Sequence, residues 1–115
     1  MSQINSGLSK KKLKTYNLVI HSEHITGSTV GGAFAGNTQA SLQGLAREII
    51  VKPTTDTTQY NLTITNDNSL PVFYSNSITG QFVEEVALPF RGIYTVEIDT
   101  ATRDEEFNIA IVVQE

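Results

Sequence analysis

Apolar and polar residues alternate along most of this chain with a period of two, the spacing of a strand that buries one face. Tyr16, Leu18 and Ile20 alternate with Asn17, Val19 and His21, and Tyr60, Leu62 and Ile64 with Asn61, Thr63 and Thr65. Tyr94, Val96 and Ile98 alternate with Thr95, Glu97 and Asp99, and Phe107, Ile109, Ile111 and Val113 form a last inward row. Shorter runs at 49–51, 72–74 and 82–88 complete the set. Turn-forming residues punctuate them: Pro53 to Thr58, Asn66 to Ser69, Ser75 to Gly80, Pro89 with Arg91 and Gly92, and Thr100 to Glu106. Helical spacing is almost absent. The pattern predicts an all-β fold, an antiparallel β-sandwich or jelly roll of about seven to eight short strands. A small closed barrel is the alternative architecture.

Three stretches depart from the simple ladder. Residues 27–44 hold Gly27, Gly31, Gly32, Gly36 and Gly44, with only Val30, Phe34 and Leu42 to bury, which reads as a long glycine-rich loop or a weak, bent strand. A short helical turn over Thr38 to Ala46 also fits. Glu84 and Glu85 put one carboxylate on each face of their strand, as expected of a bulge, an edge or a subunit contact. Ala110 and Val112 make the outer face of the final strand apolar, so that strand is expected to be central or covered by a neighbouring subunit.

Length and charge then bound the organisation. At 115 residues, the chain matches one domain able to bury a core without staples, and with no cysteine it holds by packing and hydrogen bonding alone. Residues 1–15 carry four lysines and no acid, whereas the rest carries four basic against twelve acidic residues. This asymmetry predicts a flexible basic N-terminal arm over 1–15, hung on an acidic β domain over 16–115. Four lysines without arginine or aromatic neighbours are a poor nucleic-acid footprint, and the acidic body would repel phosphate. The apolar run after the lysines is too short for a signal-peptide core or a membrane span.

Catalytic and metal chemistry find little support. His21 and His24 have a metal-like spacing, but on one strand residues three apart point to opposite faces. Asp99, Asp104, Glu105 and Glu106 gather at one turn and could offer oxygen ligands to calcium, but the EF-hand spacing is absent and a solvated hairpin tip fits better. The glycine-rich stretch lacks the lysine of a phosphate loop, and no serine elbow or positioned nucleophile is present. No catalytic, metal or cofactor site is assigned, and an enzyme is not expected.

Three segments carry a shared cadence: Ile49-Ile50-Val51-Lys52-Pro53-Thr54-Thr55, Tyr60-Asn61-Leu62-Thr63-Ile64, and Arg91-Gly92-Ile93-Tyr94-Thr95-Val96-Glu97-Ile98. With these, the last two thirds of the chain resembles small virion structural proteins of tailed bacteriophages. The resemblance implies a virion component made in the host cytoplasm, most simply a capsid decoration or cement protein. Its partner would be the major capsid protein or another virion protein, and it would form a homo-oligomer, a trimer or pentamer by virion symmetry. A tail- or fibre-associated module recognising a protein or glycan is the alternative. Residues offered for partner contact are Lys10, Lys11, Lys12 and Lys14 of the arm, Phe34 of the loop, Glu84 and Glu85, and Val112 of the apolar outer face.

Overall fold

The computed structural model describes residues 13–24 and 34–115. Among them there are seven strands and no helix: β1 (Leu13–His21), β2 (Glu23–His24), β3 (Phe34–Pro53), β4 (Gln59–Thr65), β5 (Pro71–Thr79), β6 (Phe82–Ala101) and β7 (Glu106–Gln114). All pairings are antiparallel, in the order β1-β7-β3-β6-β4-β5, with β2 added to the start of β3. The all-β antiparallel fold expected from the alternation is therefore present.

Two strands of 20 residues organise everything else. The second half of β3 pairs with β7 and with the first half of β6, while the second half of β6 pairs with the first half of β3 and with β4. Both strands are kinked at the same level, where Gly44 lies opposite Phe90 and Gly92 opposite Leu42. Gly44 and Gly92 have φ of 118° and 120°, a region that side chains disfavour. Beyond the kink the sheet folds back on itself. Tyr60 of β4 meets Phe107 of β7 edge to face at 5.0 Å, and Phe73 of β5 lies 6.2 Å from Phe82 of β6.

The inward rows are those the alternation marked. Tyr60, Leu62 and Ile64, then Val96 and Ile98, then Phe107, Ile109, Ile111 and Val113 all belong to one buried cluster, joined by Ile20, Leu42, Ile49 and Val51. The Asn66 turn also forms as expected. Asn66 Oδ1 accepts from the N–H groups of Asn68 and Leu70 at 2.9 and 3.0 Å, and Ser69 takes a left-handed φ of 63°.

Several boundaries differ from the expectation. Of the two readings of 27–44, the bent strand holds for Phe34 to Gly44 and the loop does not, and Thr38 to Ala46 shows no helical turn; residues 27–33 lie outside the described residues. Pairing with β6 on one side and burial of Leu42 and Ala46 supply the stabilisation that the glycine-rich composition lacks. Pro89, Arg91 and Gly92 do not turn the chain, because β6 runs through them. Pro89 is accommodated there because this half of β6 is laddered on one side only, the edge position that strands allow proline. Strand β5 continues to Thr79, which reduces the 75–80 turn to Gly80 and Gln81. Leu13, Lys14 and Thr15 belong to β1, paired with Gln114, Val113 and Val112.

Candidate functional site

The half-sheet β1-β7-β3-β6 presents its outer face as rows of side chains fixed by register. One row runs Asn17, Ala110, Ile50, Val83, and the next Thr15, Val112, Glu48, Glu85. On the other side of the first row lie Val19, Asn108 and Lys52. Val19 and Val83 are 55% and 54% exposed, and Ile50, Ala110 and Val112 are half-buried. An apolar stripe thus crosses four strands, with carboxylates along one side and a lysine along the other. A shallow cleft of about 170 Å³ sits on it, between Val19, Ile50, Lys52 and Ala110.

This face unites two of the residues singled out by sequence, Val112 and Glu85, and adds four that were not: Glu48, Ile50, Lys52 and Val83. Ile50 lies within an unbroken apolar run, so alternation gave no sign that it points outward. Glu84 and Glu85 diverge to opposite faces, as expected, on the free edge of β6. Two like charges, Glu48 and Glu85, stand directly opposite each other across the β3–β6 ladder. Such a pair is destabilising unless a cation approaches. Among the described residues, the only ion pair is His21 with Asp104, so neither glutamate has one.

The other candidates lie elsewhere. Lys10, Lys11 and Lys12 fall outside the described residues. Lys14 sits on β1 with its ammonium 4.6 Å from the centre of the Tyr16 ring, beside an open cleft of about 400 Å³ near the Gly44 kink. Phe34 begins β3, packed 5.4 Å from the His24 ring at the opposite end of the fold.

The histidines and the acidic turn have structural partners. Strand β1 stops at His21, whose Nε2 meets Asp104 Oδ1 at 2.5 Å, while His24 faces Phe34. Ser22 is fully buried and ties this end shut: its Oγ donates to the Arg103 carbonyl and accepts from Glu105 N–H at 3.1 Å. Glu105 turns inward, its Oε2 accepting from Thr58 Oγ1 at 2.8 Å and Thr55 N–H at 3.1 Å. Burial pushes this carboxyl up, but those bonds and the Arg103 charge outweigh it and hold the group below the usual range. Among the described residues, no three His, Cys, Asp or Glu side chains converge as a metal site.

The second half-sheet has a polar outer face. Register places Asn37, Glu97, Thr63 and Tyr74 in one row across β3, β6, β4 and β5. Burial, and then the Asp99 charge, raise the Glu97 carboxyl above its usual range. Tyr74, grouped by alternation with apolar rows, is instead 57% exposed on this face.

No family model matches the chain, and no curated protein does. Solved structures that match the chain include the Aeromonas hydrophila PliG, a periplasmic inhibitor of g-type lysozyme, at 12% identity and a TM-score of 0.43, covering 93% of this chain and 90% of that one. A family two carbohydrate esterase from Cellvibrio japonicus matches at 11% identity and a TM-score of 0.41 over 90% of this chain, which spans 34% of the esterase. A structure of infectious bursal disease virus, Gx strain, matches at 10% identity and a TM-score of 0.37, covering 91% of this chain and 33% of that one.

Proposed function

We propose that this chain is a structural component of a bacteriophage virion, acting as a capsid decoration protein that adheres to the major capsid protein and performs no catalysis. The observation that carries the reading is the uncovered apolar stripe of Val19, Ile50, Val83, Ala110 and Val112 on an otherwise closed sandwich. A contiguous apolar stripe on a soluble protein is often a functional surface, which supports a partner for this one. The polar groups of the fold support the same reading. His21, Asp104, Ser22 and Glu105 are engaged in closing the open end of the sandwich, which leaves them holding structure instead of a substrate.

The test is co-sedimentation of the purified protein with phage heads that lack it, followed by heating of the loaded heads. Saturable binding and a raised temperature of head disruption are expected. Heads that sediment without the protein at every concentration would overturn the reading. A second reading, a glycan-recognising module of the tail or fibre, is favoured by one observation, the exposed Tyr74 ring beside the hydroxyl, carboxylate and amide of Thr63, Glu97 and Asn37. Hits on a glycan array that vanish in Tyr74→Ala would support it.

A further inference from the structure

We infer that the occupant of the apolar stripe is a second copy of this chain, packed face to face about a two-fold axis that runs along the row Asn17, Ala110, Ile50, Val83. The argument is charge complementarity imposed by register. A two-fold along that row keeps each strand over its own copy but exchanges the rows on either side. The Glu48 and Glu85 row then faces the partner's Lys52 row, and Lys52 faces the partner's glutamates. An axis parallel to the strands would instead lay the glutamate row over the partner's own glutamate row and leave Lys52 with no carboxylate opposite it.

The pairing also answers two features of the single chain. Glu48 and Glu85 are like charges directly across a ladder, and a lysine ammonium from the other copy would offset their repulsion. Val83 and Val19, each more than half exposed, would be covered at the two margins of the stripe. Four strands about 4.8 Å apart and seven residues at about 3.3 Å give a contact of roughly 400 Å² per copy, small for a permanent dimer. A contact of this size makes a weak pair whose population depends on concentration. A two-fold pair closes on itself, so the expected trimer or pentamer would require a second surface.

Sedimentation equilibrium of the full chain from about 1 to 500 μM tests this. The mass should rise from 12.6 kDa towards twice that value across the range. Lys52→Glu alone and Glu48→Lys alone should each weaken pairing at least about tenfold, through like-charge contact. The double charge swap should restore it to within about threefold of the starting protein. Val83→Thr, which keeps strand propensity at an exposed edge, should weaken pairing without changing the melting temperature of the dilute protein, and it serves if a charge variant does not fold. A mass that stays at one chain throughout, a trimer or pentamer, or a swap that restores nothing would overturn the inference. The pair takes the stripe that carries the virion reading, so heads would engage the dimer through another surface: a monomer that binds heads overturns the pair, and a dimer that binds no heads overturns the virion role.

Discussion

Replacing Gly92 or Gly44 by alanine separates backbone strain from steric contact at the kink that folds the sheet. Gly92 has φ of 120°, and a Cβ added there would meet nothing within 4 Å. Its cost is conformational alone, about 1–3 kcal/mol for a residue held in a sparsely populated region. The alanine also restricts the unfolded chain, which returns about 0.4–1 kcal/mol. A net loss of about 1–2 kcal/mol is expected. Gly44 has nearly the same φ, but its Cβ would lie 3.0 Å from the Gln114 carbonyl oxygen and 3.3 Å from Val113 Cβ. The Gln114 oxygen belongs to the β7 backbone and does not swing away, so the contact adds about 1 kcal/mol.

At about 4 °C per kcal/mol for a chain of this size, Gly92→Ala should melt about 4–8 °C below the starting protein and Gly44→Ala about 8–12 °C below. Circular dichroism melts with urea titrations at a fixed temperature read both values. Gly92→Ala melting with the starting protein would refute the strained kink. Equal losses in the two variants would refute the added contact with β7.

Two buried polar groups, Tyr60 and Glu105, lead to further outcomes. Tyr60 donates its hydroxyl to the Gly80 carbonyl at 2.7 Å inside the core, so Tyr60→Phe should lower the urea-derived stability by about 1–2 kcal/mol by leaving that oxygen unpaired. Burial raises the Tyr60 phenol, so it should not ionise in an alkaline absorbance titration until the fold is lost. Glu105 is held below the usual carboxylate range, so it stabilises the fold above that range and loses the contribution as pH falls through its lowered value. Glu105→Gln should accordingly cost about 1–2 kcal/mol at neutral pH, and the gap in melting temperature should close in strongly acidic buffer. A gap that persists there would show that charge is not the source.

Alternation was legible wherever one face of a strand meets the core and the other meets water. Tyr60 to Thr65, Tyr94 to Asp99 and Phe107 to Val113 satisfy that condition, and each folds with the faces it advertises. Local composition misled where tertiary pairing outweighs it. Gly36, Gly44, Pro89 and Gly92 are turn residues by intrinsic preference, yet all four sit inside strands of 20 residues whose opposite halves lie in two layers. Of the outer face, Val112 and Glu85 were visible because each breaks a pattern. Lys52 and Glu48 were not, because their significance lies in which strands register brings beside them.

A single break in register decides which of these side chains face outward. Up to Ala46, the even-numbered positions of β3 point inward, as buried Leu42 and Ala46 show; from Ile49 on, the odd-numbered ones do, as buried Ile49 and Val51 show. The change occurs at Arg47, where the register of β3 against both β6 and β7 shifts between Ala46 and Glu48. Without that break, Glu48, Ile50 and Lys52 would enter the core, and Ile49 and Val51 would face solvent. The core would then hold two charges with no partner, a cost of several kcal/mol that a chain of ordinary stability does not survive. The irregularity therefore serves the core and the outer face together: the register break that lets Ile49 and Val51 pack is the one that turns Glu48 and Lys52 outward on either side of Ile50.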